Sequence, residues 1–116
     1  MGAIGTGAGL IFSDENAKEN KEPATGTLEA VRSMPVQERD YKPGMGDGGR
    51  HIGTYAQHFE AATGKGDGRS IPVIDAIGVT MGAVKELDAK VEKLARGMPA
   101  YHRKGEPVGR GGRGIR

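Results

Sequence analysis

The sequence predicts an α+β chain in which short strands and helices form a small unit at the base of one long C-terminal helix. Three observations carry this prediction. Apolar residues recur at helical spacing over residues 71–96, two short β-prone runs flank a glycine-rich loop, and large apolar side chains are scarce. The first fixes the helix. The second fixes a pair of strands joined by a turn. The third limits how much the chain can bury.

The 116 residues fit one domain. Glycine accounts for 21 of them, aromatic residues are 4%, and tryptophan is absent. At about 25 cal/mol per Å² of buried apolar surface, such a chain builds a thin core. Thin cores are reinforced by disulfides, metals or oligomerisation. With no cysteine, disulfides and cysteine-ligated zinc are excluded. Oligomerisation remains as the source of added stability.

The elements follow in order. Residues 1–12 form a glycine-dominated arm with Gly2, Gly5, Gly7 and Gly9. The arm shows GxxxG and GxGxG spacing but lacks the strand or apolar helix those motifs need, so it reads as a flexible or partner-docked segment. Met1-Gly2 with Thr6 also fits the short myristoylation pattern, against which the remaining signals weigh. No stretch approaches the roughly 20 apolar residues of a membrane span, so no membrane association is expected.

Residues 13–23 are polar and charged. Pro23 then opens a helical pattern with Leu28, Val31 and Met34 on one face, Thr25 as its N-cap and Pro35 as its stop. Residues 36–41 and 51–55 read as strands on either side of the loop 43–49, and 56–62 as a short helix. Residues 64–69 form another loop. The long helix spans 71–96, with Pro72 in its first turn, and Gly97 and Pro99 ending it.

Within this helix Ile74, Ile77, Met81 and Val84 step 3-4-3, as do Val84, Leu87, Val91 and Leu94. Each set is a coiled-coil seam, and the shared Val84 marks a three-residue stammer. For the first set, packing on the rest of the chain is an equal alternative. For the second, flanking charges favour parallel association with copies of the same helix. Glu86–Lys90 and Glu92–Arg96 are spaced as helical ion pairs. Gly78 and Gly82 weaken the helix but permit a close backbone approach.

Net charge is +2, with the basic excess in residues 98–116: Arg103, Lys104, Arg110, Arg113 and Arg116 face one acidic side chain, Glu106. Arg110-Gly-Gly-Arg113-Gly resembles an RGG segment that binds nucleic acid through phosphates. The plainer reading is a solvated tail. His51 and His58 lack a third clustered ligand, so neither a metal site nor a cofactor is expected.

One chemical constellation remains, Ser13-Asp14 followed by Lys18 and Asn20. A serine acts as a nucleophile when a base takes its proton, and a neutral lysine is such a base. The run Ser13-Asp-Glu-Asn-Ala-Lys18-Glu-Asn20 resembles the SDxxxKxN signature of the intramolecular chaperone domain of phage tail spikes and fibres, the peptidase S74 family. His51-Ile-Gly-Thr-Tyr-Ala-Gln57 resembles the family's second block. Ser70-Ile-Pro followed by Val84-Lys-Glu-Leu-Asp-Ala-Lys-Val-Glu-Lys-Leu94 is similar to its C-terminal helix.

The resemblance runs from Ser13 to about Arg96 and implies a homotrimer with bundled C-terminal helices. The seam would then be Ile74, Ile77, Met81, Val84, Leu87, Val91 and Leu94. It also implies Ser13 as nucleophile and Lys18 as base of a Ser-Lys dyad, with Asp14 and Asn20 in support. Residues 13–97 are accordingly the chaperone and trimerisation domain, between the arm 1–12 and the tail 98–116. His58 stands where the family commonly has an acid, and Lys21 where it has an aliphatic residue.

Only twelve residues precede Ser13, so cleavage there is expected to release a short peptide rather than a mature fibre. The sequence therefore points first to a stand-alone trimeric virion protein, made in the bacterial host cytoplasm, whose arm docks on a larger tail, fibre or ejection protein. A Ser-Lys autoprotease acting once in cis is the alternative, and a nucleic-acid-binding accessory protein is a further one.

Overall fold

A computed structural model describes residues 5–6 and 10–98. In chain order these form β1 (Gly5–Thr6), β2 (Leu10–Ile11), a 3-10 turn (Glu15–Ala17), α1 (Thr27–Ser33), β3 (Gln37–Asp40), β4 (Arg50–Gly53), α2 (Ala56–Thr63) and α3 (Val73–Arg96). The chain is α+β. β1 and β2 pair antiparallel, with Gly5 opposite Ile11. The arm thus contains a short ladder that its glycine content concealed. β3 and β4 form the expected antiparallel hairpin, with Gln37 opposite Gly53 and Asp40 opposite Arg50.

The period-2 pleat sorts the hairpin into two faces. Glu38, Asp40 and Arg50 share one face, where Arg50 binds Glu38 at 3.3 Å and Asp40 at 3.0 Å. Arg39 lies on the other face, with its guanidinium carbon 5.8 Å from the Tyr41 ring centroid and 5.9 Å from that of Tyr55. The Tyr55 hydroxyl donates to Gln37 Oε1 at 2.6 Å. In the loop between the strands, Gly46 has φ 61° and packs on the Tyr41 ring, where any Cβ would collide. Asp47 closes the loop, accepting from Gly49 N at 2.8 Å.

α1 starts one residue later than the Thr25 cap predicts. Its N-cap is Gly26, at φ 76°, which has no side chain to offer. The cap comes from α3 instead. The Glu86 carboxylate accepts from Thr27 N and Leu28 N, both at 3.1 Å, and from Thr27 Oγ1 at 2.9 Å. Glu86 is thus committed to α1, not to Lys90. These hydrogen bonds, first from Leu28 N and then from Thr27, hold its carboxyl below the ordinary glutamate value.

α3 begins at Val73 with Pro72 as its N-cap, one position outside the first turn. α1 packs along α3 and also touches α2. Phe59 of α2 (2% exposed) and Ala83 of α3 are the buried hydrophobic residues among those described, with Thr27 beside them as a buried polar one. Half-buried Val31, Met34, Ile71 and Val79 line a crevice of about 370 Å³ next to Phe59.

Gly82 is where α1 comes closest to α3. A Cβ there would lie 2.7 Å from Thr27 Oγ1 and 2.9 Å from its Cγ2. Gly82→Ala gains about 1 kcal/mol of helix propensity, but overpacking of this kind costs about 1–3 kcal/mol. The expected result is a lower melting temperature with partial separation of α1 from α3, read by thermal denaturation and amide exchange at residues 27–33. Gly78 has nothing within 4 Å of such a Cβ, so the close approach expected of both glycines belongs to Gly82 in this chain.

Candidate functional site: the Ser13–Lys18 turn and the open face of α3

The segment that opens the Ser13-Asp14 motif is a capped turn. Asp14 has extended backbone, and its Oδ1 accepts from Asn16 N at 2.8 Å. Backbone bonds from Ala17 N to Asp14 O (3.0 Å) and from Lys18 N to Glu15 O (3.2 Å) tighten the turn. The chain thereby brings Lys18 back to Ser13, and Lys18 Nζ donates to Ser13 Oγ at 2.6 Å. The two dyad residues predicted from sequence are in direct contact.

Asp14 caps the turn with its side chain. Asn20 lies two residues beyond Lys18. At φ 57° it is the one non-glycine residue with positive φ among those described, and asparagine tolerates this left-handed conformation better than most residues. Beyond it a groove of about 850 Å³ runs from Lys18 and Asn20, past Thr25 and Ala62, to Ile74 and Gly78 at the start of α3.

The pair has the geometry for proton transfer from a serine hydroxyl to an amine. General-base action requires the neutral amine, and desolvation favours that form of a lysine. Ser13 and Lys18 are both solvent-exposed in the single chain. A second surface over the turn is therefore what the chemistry would need.

The His51–Gln57 block is divided between β4 and α2. His51 Nε2 lies 2.9 Å from Asp47 Oδ2, and its ring meets Tyr41 edge-on at 6.2 Å. The Gly49 amide and then His51 hold the Asp47 carboxyl below its ordinary value. His58 sits on α2 against the Tyr55 ring, 6.1 Å between centroids. The two histidines thus have separate neighbours. No group of three potential metal ligands occurs among the described residues, and no described helix is long and apolar enough to cross a membrane.

The remaining predicted site residues lie on α3. Val79, Gly82, Ala83 and Glu86 mark the side that α1 and the crevice cover. Ile74, Ile77, Met81 and Val84 project from the opposite side, and Leu87, Val91 and Leu94 continue the stripe beyond α1. All seven are exposed, from 44% at Ile74 and Ile77 to 65% at Leu94. Ile74 also lines the groove shared with Thr25 and Ala62. The Arg-rich segment considered for nucleic acid, with Arg103, Lys104, Arg110, Arg113 and Arg116, lies outside the described residues.

A Ser–Lys pair on a capped turn thus precedes a small α+β unit and a long helix. Residues 13–67 match the family model of the chaperone of endosialidase, peptidase S74. Over this segment, a little under half of the chain, the sequence is similar to that family. The match includes both the dyad turn and the His51–Gln57 block, and it ends before α3. No curated protein and no solved structure matches the chain.

Proposed function

We propose that this chain is a trimeric chaperone module of a phage tail apparatus, holding three copies of a tail, fibre or ejection protein in register while they assemble. One observation carries the reading. α3 presents a continuous apolar stripe on the side that α1 leaves open, in a chain whose buried hydrophobic residues are Phe59 and Ala83 among those described. A parallel bundle of three α3 helices buries that stripe. The domain is then residues 13–97, with the arm 1–12 as the docking segment and the virion as the site of residence.

The test is to fuse a tail-fibre stem segment ahead of residue 13 and follow its refolding. The module is expected to raise the yield of trimeric, protease-resistant stem. Equal yields with and without residues 13–97 would overturn the chaperone reading.

A second reading, autocleavage, is favoured by the 2.6 Å Ser13–Lys18 contact. Here Ser13 Oγ attacks the Phe12 carbonyl while Lys18 takes the hydroxyl proton. The Phe12–Ser13 C–N bond breaks as that proton passes to the Ser13 nitrogen, and water hydrolyses the resulting ester. A neighbouring copy supplies the burial that keeps the lysine amine neutral. Mass spectrometry is expected to show a species beginning at or next to Ser13. That species should be absent, a loss of at least about 100-fold in rate, in both Ser13→Ala and Lys18→Ala. If Lys18→Ala retains the product, lysine is not the base.

A further inference from the structure

The face of the hairpin opposite the Arg50 ion pairs opens on a pocket of about 620 Å³. The second sequence block, which the dyad does not use, ends on its wall: Thr54, Tyr55, Ala56 and Gln57 all line it. Arg39 lines it as well, its guanidinium set near the rings of Tyr41 and Tyr55. Among the described residues, Arg39 Nη1 and Thr54 Oγ1 are buried and have no hydrogen-bond partner; both residues lie between this pocket and the crevice beside Phe59. Such atoms are costly unless something binds them.

The charge around the pocket is one-sided. Lys42 and Arg69 stand on its rim, and neither forms an ion pair among the described residues. Its one acidic side chain, Asp40, is already answered by Arg50 at 3.0 Å. α2 adds amides of its first turn, because its N-cap Tyr55 provides no side-chain cap. Guanidinium, hydroxyl and amide donors together match a carboxylate. The pocket is larger than one carboxylate, and Met45, Tyr55 and Ile71 supply apolar wall for an aliphatic stem.

We propose that this pocket is a binding site for an acidic side chain, glutamate or aspartate, of an extended peptide segment in a protein that the module handles. Arg39 holds the carboxylate, Thr54 and Gln57 orient it, and Lys42 and Arg69 draw it in. The site is built from the hairpin, α2 and the segment between α2 and α3, and is independent of whether α3 forms a trimer or Ser13 is cleaved.

The full chain, labelled with ¹⁵N, is titrated with Ac-Ala-Glu-Ala-NH₂, with its glutamine counterpart and with acetate. The glutamate peptide is expected to give saturable shifts at the Arg39 side chain and at residues 54–57, with affinity at least about 5-fold above the other two. Arg69→Gln, a rim change that should not disturb packing, is expected to weaken binding 2- to 5-fold (roughly one screened charge), and Arg39→Gln to abolish it. If Arg39→Gln fails to fold, Arg69→Gln decides alone. Equal shifts from the glutamate and glutamine peptides would overturn the site, as would unchanged affinity in Arg69→Gln. Acetate binding as tightly as the peptide would overturn the peptide assignment.

Discussion

Leu87→Glu is expected to convert the proposed trimer to monomers. Leu87 sits in the middle of the second seam set and is 48% exposed in the single chain. In a parallel three-helix bundle it meets its two copies near the axis. Each leucine lost removes about 1.5–3 kcal/mol of burial. Each carboxylate introduced into the seam costs several kcal/mol more, because three like charges face one another away from water. Over three chains the change is on the order of 10 kcal/mol or more, comparable with the whole stability of a small assembly. Sedimentation should show one chain, with far-UV circular dichroism losing helix from residues 84–96. Asp88→Asn, one position along and off the seam, should leave the assembly intact. A Leu87→Glu protein that sediments as a trimer removes α3 from the interface.

Glu86→Gln is expected to free α1 without dissolving the rest. The wild-type carboxylate answers three donors at the start of α1, and Gly26 cannot replace it. Glutamine keeps the shape but loses the charge, and one acceptor becomes a donor facing N–H groups. The melting temperature should fall by several degrees, and amides 27–31 should lose exchange protection before those of α3.

The pH dependence has a definite sign. Hydrogen bonds from Leu28 and Thr27 depress the folded-state pKa of Glu86. A depressed carboxylate stabilises the fold above its unfolded value, about 4.3, and that contribution is lost as pH falls through the lower folded value. Asp47 and Asp67 are depressed too, by backbone amides of Gly49 and of Arg69 and Ser70 respectively, and add to the same acid limb. The gap between wild type and Glu86→Gln should therefore be full at pH 6, begin to narrow as pH falls past the unfolded value, and go on narrowing through the lower folded one. A gap that stays constant with falling pH until the wild type itself unfolds would show that the capping carboxylate is not its cause.

Much of the fold was legible because it is written locally. The 3-4-3 spacing from Ile74 to Leu94 and the Gly97 stop placed α3 to within two residues of its observed start. The glycine-rich loop placed the β3–β4 hairpin. Ser13 and Lys18 were named through their resemblance to the SDxxxKxN signature, whereas the capped turn that joins them was not read from residues 13–23, whose composition is that of a solvated charge run. What the sequence concealed is tertiary. Glu86 reads as a partner of Lys90 because helical spacing sees only four residues ahead, whereas its actual donors are 58 and 59 residues away. Thr25 is a better N-cap by preference than Gly26, and Gly26 takes the position because α3 brings the cap. The Arg39 cluster could have been suspected from aromatic residues at 41 and 55 flanking a strand pair, but only the register puts Arg39 on their face.

The central claim is that three copies of α3 close on the stripe from Ile74 to Leu94. Native mass spectrometry of the purified protein, followed by denaturation of the same sample, tests it most directly. The account predicts a native mass of three chains, with the denatured mass showing whether each is intact or begins at or next to Ser13. A single-chain native mass at micromolar concentration would contradict it, because the apolar face of α3 would then be stable in water without a partner.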